Sequence, residues 1–129
     1  MQCDALIYPE NNSATINETT IKASAGSIYN LPICKVNHLS DALMYLQGEG
    51  VKCIAITEKT KEVIYEYQLP KKMAFVFGDE DKGISSKIVK ACDKQLKIPL
   101  TGKTSSLNVS VATGIALYER SKQIAKVNK

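Results

Sequence analysis

Residues 104–119 read TSSLNVSVATGIALYE, a Ser-rich loop running into a long helix with an apolar face. A loop that presents Ser105, Ser106 and Asn108 at a helix start brings hydroxyls, an amide and unpaired backbone N–H groups to one place. That combination suits a polar ligand. Ser and Asn are also the preferred helix caps. Taken by itself the stretch therefore reads first as a capped helix and second as a binding site.

A second stretch shifts that balance. Residues 75–83 read FVFGDEDKG. A buried strand ends at Gly78, where the chain must turn sharply and can approach a ligand closely. Asp79, Glu80 and Asp81 then set carboxylates at the C-terminal edge of the sheet, where open α/β sheets bind ligands. An ordinary polar turn with a Gly at each end explains the same residues about equally well. The glycine spacing fits neither a phosphate-binding P-loop nor a dinucleotide fingerprint, so kinase and dehydrogenase readings fall.

Outward from these stretches, strands alternate with helices. Strands are predicted at 5–8, 33–36, 53–57, 73–77 and 96–98. Helices are predicted at 17–25, after a cap at Ser40, from Ser85 or Ser86 to about Cys92, and from Asn108 onward. Residues 53–57 and 73–77 are continuous apolar runs, as expected of strands buried on both faces. The alternation specifies an α/β fold with a mostly parallel sheet. No repeat, low-complexity tract or linker interrupts the 129 residues, which read as a single domain, 1–129.

Composition narrows the function classes. A net charge of +4 comes from scattered lysines and is compatible with nucleic acid without requiring it. Arg120 is the sole arginine, thin for reading phosphates with bidentate forks. Cys3, Cys34, Cys53 and Cys92 lack CxxC spacing and a histidine cluster, so they read as small core residues in a reducing, cytoplasmic setting. No metal site is expected. No apolar run approaches a membrane span and no signal peptide is evident, so the sequons at Asn11, Asn17 and Asn108 carry no weight. His38 precedes a helix with no nucleophile near it in sequence and reads as a surface or satisfied residue.

Together the two stretches resemble a known family. GDEDKG is similar to the GxExxG second motif, and IPLTGKTSSLNVSVATGIALYE to the third motif, of the SpoU/TrmH-type RNA ribose 2'-O-methyltransferases of the SPOUT superfamily. Weaker similarity in YPENNSA and KASAGSIYNLPICKV extends it over almost the whole chain, toward members that methylate a guanosine ribose of large-subunit ribosomal RNA. The resemblance implies a parallel sheet whose C-terminal part is tied in a trefoil knot. It also implies S-adenosylmethionine bound in the knotted loops, with Thr57, Gly78, Ile98, Leu100, Ser106 and Leu107 as cofactor contacts. Glu80, Ser106 and Asn108 match the positions that organise catalysis, with Glu80 orienting its neighbours rather than acting as base. A homodimer packed through knot helices is implied as well. The apolar face of Val109, Ala112, Ile115 and Ala116 is then either interface or plain core.

The family's first motif, with its asparagine and ribose-activating arginine, finds no match. Met1 falls where the helix of that motif would end. The chain therefore reads as N-terminally incomplete, lacking the first strand and helix of the domain. Arg120 lies on the distal helix, and Asn11, Asn12 and Asn37 sit in the wrong context to replace that motif. The expected function is S-adenosylmethionine-dependent 2'-O-methylation of RNA. The alternatives are a catalytically impaired cofactor- or RNA-binding remnant and a dimerising protein without ligand. Lysines 71, 72, 82, 87, 90, 94, 97 and 103 are expected to cluster around the site, as phosphate contacts or as a solvated face.

Overall fold

The computed structural model describes residues 3–10 and 30–129. The helix expected over 17–25 lies outside them. Five strands lie among them: β1 (Leu6–Pro9), β2 (Ile33–Val36), β3 (Lys52–Ile56), β4 (Met73–Val76) and β5 (Lys94–Leu96). Three helices accompany them among the described residues, α1 (Leu39–Gly48), α2 (Ser86–Ala91) and α3 (Val109–Val127), with a 3-10 turn at Ile64–Glu66. Every pairing between these strands is parallel, as the alternation predicts.

The strands form two sheets rather than one: β1 with β2, and a three-stranded sheet in the order β4-β3-β5. β3 is central, with Lys52 opposite Met73 on one side and Ile54 opposite Lys94 on the other. Its side chains alternate between two cores, because successive Cβ atoms of a strand point to opposite faces. Ile54 joins Ile64, Leu96 and Ala116 under α3 and the 3-10 turn. Cys53 joins Leu43 and Val76 under α1, with Ile88 and Ala91 of α2 packed alongside. Full burial of a side chain such as Ile54 or Leu96 contributes on the order of 2–3 kcal/mol.

Several boundaries depart from the sequence reading. α1 begins at Leu39, with His38 rather than Ser40 at the cap position. The His38 carbonyl accepts from Asp41 N at 3.2 Å and from Ala42 N at 3.5 Å, with no side-chain cap. β5 lies at 94–96 rather than 96–98, because its ladder to β3 ends at Ile56 opposite Leu96. Beyond it Lys97 pairs only with Val63. β1 runs through Pro9, which is tolerated at a strand end. Burial on both faces holds for β3 but not for β4, where only Val76 is buried. β4 is an edge strand among the described residues, and an edge receives less cover. Of the four cysteines expected in the core, Cys53 is buried and Cys92 half-buried, while Cys3 and Cys34 are exposed beside and on the thinly covered β1–β2 pair.

Candidate active site at the C-terminal edge of the sheet

β3 and β4 run in the same direction, so their C-terminal ends deliver Ile56, Thr57, Phe77 and Gly78 to one edge. A cavity of about 410 Å³ opens there, within the range of small-molecule sites. Its walls come from three segments: the turn after Thr57, the loop 78–84 and the loop 98–107, closed off by Val109 and Ala112 of α3.

The loop after β4 is folded tightly on itself. Asp79 Oδ1 accepts from Asp81 N at 2.7 Å and from Lys82 N at 3.1 Å, and Gly83 N donates to the Asp79 carbonyl at 2.8 Å. Those two backbone donors hold the Asp79 carboxyl below its ordinary pKa. The turn brings Gly83 back onto Gly78. A Cβ at Gly78 would stand 2.2 Å from the Gly83 carbonyl carbon and 2.3 Å from Ile84 N, so only glycine fits. Gly83 itself has φ +67°, the left-handed region.

Asn108 joins this loop to α3. Its Oδ1 caps the helix, accepting from Ser110 N at 2.9 Å, while its Nδ2 donates to Glu80 Oε1 at 2.7 Å. Both ends of the amide are thereby used. One residue thus caps the helix and ties it to the loop after β4.

Thr57, Gly78, Glu80, Ile98, Leu100, Ser106 and Leu107 all line the cavity, and Asn108 stands behind it on Glu80. Lys59, Phe77 and Ile84 also line it without having been expected at the site, as do Val109 and Ala112, which were expected as interface or core. For Phe77 and Lys59 a signal was available, since Phe77 ends the apolar run 73–77 and Lys59 lies two residues past the run 53–57.

Two sequence expectations are corrected. The lysines do not ring the cavity. Lys82 lines it, but Lys94 pairs with Glu62 and stacks 5.2 Å over the Tyr67 ring, while Lys71 and Lys72 precede β4 at the opposite edge of the sheet. The apolar face of α3 is also divided. Ala116 is fully buried, and Val109 and Ala112 face the cavity. The outward stripe is instead Val111, Ile115 and Tyr118, which are 50%, 38% and 62% exposed. Their i, i+4, i+7 spacing sets them on one side of the helix.

Among the described residues no group of His, Cys, Asp and Glu could hold a metal, and no helix is long and apolar enough to cross a membrane.

A parallel α/β sheet with a loop-walled pocket at its C-terminal edge defines a small-molecule or cofactor-binding enzyme scaffold. Residues 1–118 match the SpoU rRNA Methylase family, and the chain belongs to it. It is 35% identical over 119 residues to the 23S rRNA (guanosine-2'-O-)-methyltransferase RlmB of Salmonella typhi, covering 92% of this chain and 49% of that protein. The Escherichia coli K12 counterpart is 34% identical with the same coverage. The chain thus spans about half the length of the curated relatives it matches. Among solved structures it resembles the A. aeolicus TrmH/SpoU tRNA modifying enzyme at 34% identity and a TM-score of 0.84, over 97% of this chain and 64% of that one. The fold also matches the SpoU methyltransferase AviRb from Streptomyces viridochromogenes, solved with AdoMet, with a TM-score of 0.86 at 21% identity over 95% and 50% of the two chains.

Proposed function

We propose that this chain is the methyl-transfer core of an S-adenosylmethionine-dependent RNA ribose 2'-O-methyltransferase, with ribosomal RNA as substrate class. In this reading residues 1–129 are one domain of a cytoplasmic homodimer with the family's C-terminal knot, and the α3 stripe is the self-association surface. The observation that carries it is the cavity in which the 78–84 and 98–107 loops meet under the Asn108–Glu80 bond.

The residues present suit the cofactor. Ile98, Leu100 and Leu107 supply apolar contact for a flat base, while Thr57 and the Gly78 backbone offer polar groups at close approach. When bound, S-adenosylmethionine supplies a methyl group on a sulfonium, open to in-line attack by a ribose hydroxyl. The chain's task is then alignment of donor and acceptor and handling of the hydroxyl proton. Ser106 stands on the cavity wall with a hydroxyl to offer. Glu80 and Asn108 act as positioning residues, because their hydrogen bond pins the loop after β4 to the start of α3.

Family membership and the assembled pocket favour this reading over a binding-only remnant. Lys59 and Lys82 are the cations on the cavity wall, so ribose activation is the step to test separately. Calorimetric titration with S-adenosylmethionine should give saturable binding that is lost in Leu107→Arg. A folded chain that binds no cofactor would overturn the proposal. Binding without methylation of ribosomal RNA would select the remnant instead.

A further inference from the structure

The edge of the three-stranded sheet opposite the cavity gathers four cations. Lys52 opens β3, and its backbone N–H donates to the Lys72 carbonyl at 3.0 Å. Lys72 Nζ donates to the Glu49 carbonyl at 3.0 Å, just past the end of α1. Arg120 of α3 donates from Nη2 to the Lys71 carbonyl at 3.0 Å. These bonds lock Lys52, Lys71, Lys72 and Arg120 into one neighbourhood.

None of the four is held in an ion pair: those among the described residues are Lys35–Glu10, Lys94–Glu62 and Lys122–Glu119. Lys52 does feel the Asp93 carboxylate, but that group is already held by Cys53 N at 2.8 Å and Gln47 Nε2 at 3.1 Å. Glu49 is the acidic residue of the cluster, and its main chain anchors Lys72. One helical turn before Glu49, on the same face of α1, stands Tyr45, 70% exposed. Cations outside ion pairs, with an open aromatic ring one helical turn from the carbonyl that anchors Lys72, suit a single-stranded nucleic acid, backbone on charge and base on ring.

We propose that Lys52, Lys71, Lys72 and Arg120, with Tyr45, form a second RNA-contacting surface at the N-terminal edge of the sheet. It rests on RNA being the substrate class of the reading above. It adds a contact about 16 Å from the cavity, the length of a five-residue strand. The surface grips RNA that continues past the reacting nucleotide and supplies affinity without base identity.

The test is binding of a short single-stranded RNA and of a matching duplex to the whole chain, by fluorescence anisotropy at a series of KCl concentrations. Lys71→Gln/Lys72→Gln should lower the salt slope for the single strand by about 1.4, two contacts at about 0.7 each, and weaken binding about 25-fold near 0.1 M salt. Tyr45→Ala should weaken the single strand about tenfold and leave the duplex unchanged. S-adenosylmethionine titration of the same variants should match the unsubstituted chain, since the cavity lies at the other edge. A wild-type slope and affinity in the lysine variant overturns the surface, whatever the cavity does. Equal binding of both RNAs by Tyr45→Ala and the parent removes the stacking half of it. Should the parent bind no cofactor while the lysine variant still loses RNA, the methyltransferase reading fails and the surface stands.

Discussion

The two sheets are built alike and held differently. Both are parallel, and both use short apolar strands: LIYP and ICKV in one, KCIAI and MAFV in the other. Yet no residue of β1 or β2 is buried, whereas Cys53, Ile54 and Ala55 of β3 are fully so. The difference is cover. β3 lies between two strands with helices on both faces, while β1 and β2 have only one strand partner each among the described residues. Strand sequence permits burial; the neighbouring layers deliver it.

The sharpest way to break that contrast is a matched pair of truncations. Ile54→Ala should cost about 4 kcal/mol, since it opens a cavity in a closed core. Ile7→Ala in β1 should cost under about 1 kcal/mol, because less of that side chain leaves water. Urea unfolding of both variants measures the difference, and equal losses would mean that β1–β2 is covered in solution. Next comes Gly78→Ala, expected to cost about 3 kcal/mol by forcing the Gly83 backbone away. Its distinguishing mark is loss of S-adenosylmethionine binding well below the melting temperature, because the displaced segment is a cavity wall.

Asn108→Ala removes a cap and the tie to Glu80 and should cost about 1–2 kcal/mol. Asn108→Ser restores the cap alone. If Asn108→Ser recovers the melting temperature but not cofactor affinity, the Glu80 bond is what shapes the cavity. The smallest effect concerns pH. Hydrogen bonding from Cys53 N, with help from Gln47, holds the Asp93 carboxyl below its ordinary value. A depressed native pKa stabilises the fold above the unfolded value of about 4, and that contribution is lost as pH falls through the native value. Asp93→Asn should therefore flatten the acid limb of the stability–pH curve, at a loss of about 1 kcal/mol near neutrality.

Much of this architecture was legible in the chain. The apolar runs at 53–57 and 73–77 gave the paired parallel strands, and the GDEDKG and TSSLN stretches converge on one cavity. What was not legible depends on partners distant in sequence. Nothing near Ser40 announces that the His38 carbonyl opens α1. Nothing near Lys94 announces that Glu62 and Tyr67 claim its ammonium. The apolar positions of α3 could be counted from sequence, but only packing decided that Ala116 faces the core while Val111, Ile115 and Tyr118 face outward.

The side-chain hydrogen bonds that tie helix α3 and its cap to other described segments reach far back along the chain. Asn108 bonds Glu80 across 28 positions, Arg120 the Lys71 carbonyl across 49, and Gln123 the Leu69 N–H and Tyr67 carbonyl across 54 and 56. Each such contact must wait for a long loop to close. During synthesis, N-terminal segments emerge from the ribosome first. The β3–β4–β5 ladder is thus available for pairing while α3 is still being translated, with the face around Ile54 and Leu96 lacking its lid. That interval, a few seconds at roughly 5–20 residues per second, is when a nascent chain of this design has most need of a chaperone.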